Sequence, residues 1–370
     1  MAQFIHISDT HLGSRQYMME EREMDFYDAF NEAIDLAIGE HVNFILHTGD
    51  LFDSWVPGNS ALITFKNAIR KLNDHGIPFY TILGDHDRPK RNTDPAIKIF
   101  DFLGAKLLGE NETESFSTRI DGQEILIAGL SNMRGYRKNQ LVNEYRRAFA
   151  MAEGHKDSIL LSHQAIDPFF NPDQCEAKYN DLPMNYSYLA FGHIHDYFAD
   201  KRGPVFSYAG STEIKSTNEI RNFLKNGKSV NLVSLEGGNV DMERIILKSP
   251  RYQFEIDSNE KEFLSAISEN IDRYKQQIGL KKPLISLKIY GDISRESLEK
   301  KLAGIQNAIF RRAEIIKPDE TPQIGTNVND LIEYFRAFFK NDEMAEKAMH
   351  VYRLMKEGDV SSVNKFMLGD

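Results

Sequence analysis

Aspartate and histidine gather in five short segments of this chain: Asp9-Thr-His11, Gly49-Asp50-Leu-Phe-Asp53, Gly84-Asp85-His86-Asp87, Ser162-His163 and Gly192-His193-Ile-His195. Oxygen and imidazole donors without a thiolate suit manganese, iron or zinc rather than calcium. Cys175 is the only cysteine, so neither an internal disulfide nor a thiolate metal site is available. Asp9, His11, Asp50, Asp85, His163, His193 and His195 are too many ligands for one tetrahedral ion. They match two ions that share one carboxylate. Two cations about 3.5–4 Å apart can activate water and clamp a phosphate's oxygens. The reaction would be in-line attack on phosphorus, with a proton needed at the leaving oxygen. His86, set between two carboxylates in the sequence, is the candidate donor. Each segment alone is a weak signal, because Gly-Asp after a strand is often only a turn. Five in this order form a constellation. His6 and His47 lie inside strand patterns and read as core histidines.

Ligands must be carried by something rigid, and the flanking residues say what. Apolar runs at Phe4–Ser8, Phe44–His47, Phe79–Leu83, 159–161 and Tyr188–Phe191 read as strands that end at the five segments. Between them, Arg22–Ile38 and Asn59–Asn73 show helical apolar spacing, and Asp94–Leu103 is expected as a helix with Pro95 at its first position. Asp121-Gly122 between 115–120 and 124–128 is a two-residue hairpin signal. A helix follows near Gln140–Ala152, and strands then cluster at 197–200, 205–208, 229–235 and 240–247. This pattern predicts an α/β (α+β) fold: a two-sheet β-sandwich core flanked by helices.

The 370 residues allow two or three domains. Ser249-Pro250 marks a boundary at the end of a first domain, 1–248. Residues 249–316 alternate strand and helix as a small α+β domain, and 317–328 read as a linker. Residues 329–370 hold two short amphipathic helices. Leu331, Ile332, Phe335, Phe338 and Phe339 form one stripe, and Met344, Ala345, Ala348, Val351, Tyr352 and Met355 form another. Such stripes either pack on their own body or fill a partner's groove. With a formal charge of −10, bulk charge does not advertise a nucleic-acid binder, although local fields matter more to a phosphate. No signal peptide and no membrane-spanning run is apparent, so a cytoplasmic protein is expected.

The five segments resemble the calcineurin-like metallophosphoesterase superfamily. Ser8 to Gly13 with Arg15-Gln-Tyr17, Arg22 to Phe30, Phe44 to Phe52, Tyr188 to His195 and Tyr208 to Glu213 are similar to the archaeal Mre-eleven family of DNA double-strand-break repair nucleases. Bacterial SbcD nucleases share several blocks. The resemblance implies two manganese ions per subunit. Asp9, His11, Asp50 and His195 would hold one, and Asp50, Asp85, His163 and His193 the other, with His86 as catalytic histidine. It implies 3′-to-5′ exonuclease action on duplex ends, single-strand endonuclease action and a nucleoid-associated place. It also implies a DNA-capping role for 249–316, and a Rad-fifty type ABC ATPase gripped by the tail through Leu331, Phe335, Phe338, Phe339 and Tyr352. A homodimer through helices near 59–73 and 94–103 is implied as well. The alternatives are a small-molecule or protein phosphatase on the same scaffold, or a non-catalytic scaffold subunit.

Two positions depart from that pattern. Asp85 stands where the family usually has Asn, which lowers the formal charge of the site by one and predicts tighter metal binding with weaker attraction for phosphate. Asp53 stands where many members have His, and is expected to orient His86. DNA contact must come from local basic groups: Arg15 beside Gln16, the run Arg88, Lys90 and Arg91, and Arg134, Arg137 and Lys138.

Overall fold

A computed structural model of the chain describes residues 1–90, 93–317 and 328–356. Strands β1 (Ala2–Ile7), β2 (Phe44–His47), β3 (Phe79–Thr81) and β4 (Ala105–Leu107) run parallel in one sheet. Strands β5 (Glu114–Ile120), β6 (Gln123–Leu130), β7 (Ser158–His163), β8 (Ile166–Asp167), β9 (Ala177–Lys178), β10 (Tyr188–Gly192), β11 (Phe198–Asp200) and β12 (Val205–Tyr208) follow, then β13 (Ser229–Glu236) and β14 (Asn239–Ile246). The first sheet has the order β14-β13-β1-β2-β3-β4, and the second β11-β12-β10-β7-β6-β5. In the second sheet β6, β7, β10 and β12 run parallel to one another, and the edge strands β5 and β11 are antiparallel to them.

Strand alternation sorts the side chains. Phe4, Phe44, Leu46, Ile127, Ile159, Leu161, Tyr188 and Val233 are buried together as the core between the two sheets. Ile5, Ile7 and Ile45 face the other way and pack under helices α1 (Glu20–Gly39) and α2 (Asn59–Asn73). Helix α3 (Lys138–Ala152) covers the second sheet through Leu141, Tyr145 and Ala148. Helix α1 places Glu20, Glu21 and Glu23 in its first turn, where the helix dipole favours acids. The chain turns from β5 to β6 through Asp121 (φ 51°) and Gly122 (φ 82°), the left-handed pair of a type I′ hairpin.

The segment expected as an α-helix at Asp94–Leu103 is a 3₁₀ helix, Ala96–Leu103, entered from the extended backbone of Pro95. Ile97, Phe100 and Leu103 face the core at a spacing of three, which suits three residues per turn. A short helix, α4 (Ile220–Asn226), had not been anticipated.

The remaining elements are β15 (Gln253–Asn259), α5 (Phe263–Arg273), β16 (Leu284–Tyr290), α6 (Arg295–Ala303), β17 (Ile309–Ile316), α7 (Val328–Phe339) and α8 (Asp342–Lys356). The last three strands form a sheet in sequence order. By packing the chain divides into two units: Met1–Phe254 with Ile271–Leu284 and Asn307–Arg311, and Glu255–Asn270 with Ile285–Gln306 and Arg312–Asp370. In the second unit α7 and α8 pack on one another, burying Leu331, Ala345 and Met349. Phe335 is half-buried, while Phe338, Phe339 and Tyr352 are exposed. Residues 318–327, most of the expected linker, lie outside the described residues, as do Arg91 and residues 357–370.

Candidate metal centre

The parallel strands deliver the five segments to one edge. Asp9 and His11 follow β1, Asp50 and Asp53 follow β2, and Asp85 and His86 follow β3. His163 ends β7, and His193 and His195 follow β10. The first two loops continue to pair beyond their strands, since the His11 and Leu12 N–H groups donate to the Asp50 and Leu51 carbonyls at 3.0 and 2.8 Å. Asp9, His11, Asp50 and His193 have left-handed backbones, with φ of 50°, 44°, 54° and 91°. Strain of this kind persists only where surrounding structure enforces it. Asp87 is one enforcer. Its buried carboxylate accepts the N–H groups of Leu51, Phe52 and Gly84 at 3.0, 2.8 and 3.1 Å, tying the second loop to the third. Burial and the nearby Asp50 push its carboxyl up to about 6. Gly84 must lack a side chain, because a Cβ there would lie 2.0 Å from Asp50 Oδ1.

The seven expected ligands come together as overlapping groups: Asp9 with His11 and His195; Asp85 with His163 and His193; and Asp9 with Asp50 and His163. Asp50 joins them. Its Oδ2 lies 3.7 Å from His11 Nε2 and 3.7 Å from His163 Nε2, one ring from each side. Its Oδ1 accepts the His86 N–H at 2.9 Å.

The donor set fits cations. His163 Nδ1 donates to the Thr48 carbonyl 2.7 Å away, so a neutral ring turns its Nε2 lone pair inward. That Nε2 is buried, has no hydrogen-bond partner among the described residues, and faces Asp85 Oδ1 at 3.4 Å. A buried lone pair set against carboxylate oxygens demands a positive charge. Burial opposes a charged ring, but Asp50, Asp85 and Asp9 outweigh it and push His163 up to about 10. A divalent cation at the same place would supply that charge without the proton. His195 is oriented in the same manner: its Nδ1 is 2.9 Å from Glu219 Oε1, and its Nε2 points toward His11 Nε2 at 3.1 Å. Glu219 in turn accepts from buried Lys228 at 2.5 Å. Burial works against a charged Glu219, yet Lys228 and His195 hold its carboxyl well below the usual range.

His86 is held differently from the expectation. Its Nδ1 is 2.7 Å from the backbone carbonyl of Asp53, while the Asp53 carboxylate turns to Lys215, with Oδ1 at 2.7 Å from Nζ. Residue 53 therefore orients the ring through its backbone, which any side chain could supply. Asp85 also has a partner that sequence analysis did not assign. Arg134 Nη1 donates to Asp85 Oδ2 at 2.8 Å and its Nε to Glu176 Oε1 at 3.0 Å. Burial opposes an ionised Asp85, but His163 and His193 hold its carboxyl far below the usual range. Arg134 adds a positive neighbour to the site, while the one-unit difference between Asp85 and the family's usual Asn remains.

The other basic residues are scattered. Arg15 pairs with Glu20 and Glu23 on α1, at 2.8 and 3.4 Å. Arg88 donates to the Glu110 carbonyl at 2.6 Å, and Arg137 to Asn111 Oδ1 at 2.8 Å. Lys90 is exposed. His6 bonds Tyr188 and Thr48, and burial lowers both His6 and His47 to about 3, as neutral core rings. Of the unanticipated groups, Glu219 left a trace in the sequence: Ser216-x-x-Glu219 is a capping box before α4. Lys215 left none.

The sequence profile of the calcineurin-like phosphoesterases matches residues 2–197. A DNA double-strand break repair protein Mre11 of Thermoplasma acidophilum is 50% identical over 98% of this chain and 96% of its own length. Proteins of the same name from Sulfurisphaera tokodaii (35%, covering 82% and 78%) and Methanococcus maripaludis (30%, covering 100% of both) are also similar. The chain therefore belongs to the calcineurin-like phosphoesterase family and, within it, to the Mre11 family of DNA double-strand break repair proteins.

Proposed function

We propose that this chain is a dimanganese DNA nuclease, a 3′-to-5′ exonuclease on duplex ends and an endonuclease on single strands, that processes breaks together with an ABC-type coiled-coil ATPase. The observation that carries the reading is Asp50 Oδ2, equidistant at 3.7 Å from a histidine of each ligand group. Asp9, His11, Asp50 and His195 would hold one cation, and Asp50, Asp85, His163 and His193 the other. When bound, the pair supplies Lewis acidity for activating water and drawing charge from phosphate oxygens.

The chain's own groups do the rest. His86, anchored at Nδ1 by the Asp53 carbonyl, offers Nε2 as proton donor to the leaving oxygen. Arg134, nearly half exposed beside Asp85 and His193, is the basic residue best placed for a phosphate at the second group. Arg88, Lys90 and Arg137 are assigned to other backbone phosphates, and Arg91 to the same role from the sequence alone. Arg15, spent on two glutamates, would contact DNA only by exchanging them.

The larger assignments rest on exposed surface. Ile63 of α2 and Ile99 and Phe102 of the 3₁₀ helix are exposed apolar groups, and support a homodimer through these segments. Phe338, Phe339 and Tyr352 support α7 and α8 as the ATPase grip, with Leu331 holding the pair together. Domains of 1–248 (nuclease), 249–316 (DNA-capping), 317–328 (linker) and 329–370 (partner-binding) complete the scheme. Among the described residues no helix is long and apolar enough to cross a membrane, and a cytoplasmic, nucleoid-associated place is proposed.

The test is degradation of 3′-labelled linear duplex DNA by the manganese-loaded chain. The wild type should release the label, and His86→Gln should lose at least about a hundredfold in rate while still binding DNA. An inert wild type, or a fully active His86→Gln, would overturn the reading.

A further inference from the structure

We propose that Lys215 is a catalytic residue of this centre: held by Asp53 at the His86 edge, its ammonium neutralises charge on the oxygen that leaves phosphorus. The inference rests on the hydrolase reading above and adds a residue to it.

Lys215 Nζ lies 2.7 Å from Asp53 Oδ1, 2.8 Å from His11 Nδ1 and 3.4 Å from both ring nitrogens of His86. An ammonium has three N–H donors and accepts nothing. His11 Nδ1 takes one, and Asp53 Oδ1 meets the ammonium as an ion pair. The remaining N–H groups face only the edge of His86, at the limit of a hydrogen bond, and the lysine side chain is 19% exposed. A long side chain is also pinned at its root. The Lys215 carbonyl accepts Gln16 Nε2 at 2.9 Å, and Gln16 Oε1 is held by Arg22 at 2.8 Å and Gln253 at 3.0 Å. The next residue, Ser216, donates its N–H to Glu219 at 2.9 Å.

A partly exposed lysine–aspartate pair adds little stability, so stability alone does not account for its place. An ammonium against His11, a ligand of the first cation, repels that cation. The arrangement is favourable only when an anion lies between them, as phosphate does. If His11 gave its Nε2 to a cation, its ring proton would sit on Nδ1, which could not accept from Lys215. Asp53 Oδ1, 3.5 Å from that Nδ1, can take the proton's hydrogen bond instead. Lys215, still paired with Asp53, then has N–H groups to offer substrate. Asp53 is on this account a positioning residue that keeps the ammonium at the rim.

In the reaction the water oxygen bonds to phosphorus, the bond to the leaving oxygen breaks, and that oxygen keeps the electron pair. His86 gives it a proton and is reprotonated from solvent, which takes the proton that water loses. Lys215 keeps all of its protons and contributes charge and a hydrogen bond.

The experiment uses the full manganese-loaded chain and two thymidine 5′-phosphate esters, one releasing 4-nitrophenolate and one the more basic phenolate, alongside duplex DNA. Lys215→Met should lose about a hundredfold or more with phenolate and DNA, and about tenfold less than that with 4-nitrophenolate, which leaves without help. Lys215→Arg should recover most of the loss, and Asp53→Asn should show the same dependence on leaving group in weaker form. Manganese affinity of Lys215→Met, by calorimetry, should stay level or rise. Equal losses on both esters, or a manganese affinity weakened tenfold, would make Lys215 a structural residue and overturn the proposal. A wild type that cleaves the esters but not DNA fails the nuclease reading alone. One that cleaves neither fails both.

Discussion

The two oxygens of Asp50 are used differently, and the centre is organised around that division. Oδ1 is fixed by the His86 N–H, which leaves Oδ2 midway between His11 and His163. The glycine at 84 and the left-handed backbone at Asp50 both follow from packing a loop this tightly against a carboxylate. Asp85 belongs to the same scale. As an ionised group paired with Arg134 it adds attraction for cations. Asp85→Asn should therefore weaken manganese binding about tenfold. Calorimetric titration checks this, and an unchanged affinity would mean that the second carboxylate charge contributes nothing. The sequence showed the ligand types but not their tethers. Lys215 and Arg134 are bound to Asp53 and Asp85 across 162 and 49 positions, and no spacing rule connects such pairs.

At the scale of elements, one buried ionic network holds α1 to the loop that carries Lys215. Arg22 is fully buried, with Nη1 at 2.6 Å from Asp25 and Nη2 at 3.1 Å from Glu213 and 2.8 Å from the Ile214 carbonyl. Arg251 and Lys281 also contact Asp25, at 2.6 and 2.9 Å. Arg22→Met removes one partner and leaves Glu213 buried beside an apolar chain, while Asp25 keeps its other two. A loss of about 3 kcal/mol is expected in urea unfolding, the lower end for a broken buried pair. A midpoint shift worth under about 0.5 kcal/mol would show that the network is not load-sharing. Burial opposes a charged Asp25, but Arg251, Arg22 and Lys281 keep its carboxyl below the usual range. Its contribution is thus present above the ordinary carboxylate pKa near 4 and is lost as pH falls through the lower folded value. The helices and strands themselves were legible because periodicity records burial. Asn59–Asn73 and Phe44–His47 were read to the residue. The 3₁₀ segment was misread because Ile97, Phe100 and Leu103 satisfy both a spacing of three and an i, i+3 helical face.

Across the whole molecule, the two parallel strand sets bring chemistry from residue 9 and residue 195 to one edge, a convergence that strand-end position in the sequence already implied. What periodicity could not convey was how loops lock past the strand ends. That depends on Asp87, whose role is visible only when three backbone N–H groups meet its carboxylate. The central claim is that one carboxylate joins two cation sites. The most direct measurement is a manganese titration of the full chain followed by electron paramagnetic resonance. The account predicts two ions per chain and an exchange-coupled spectrum, because ions that share Asp50 are about 3.5–4 Å apart. A single ion per chain, or two ions with the separate signals of isolated manganese, would contradict it.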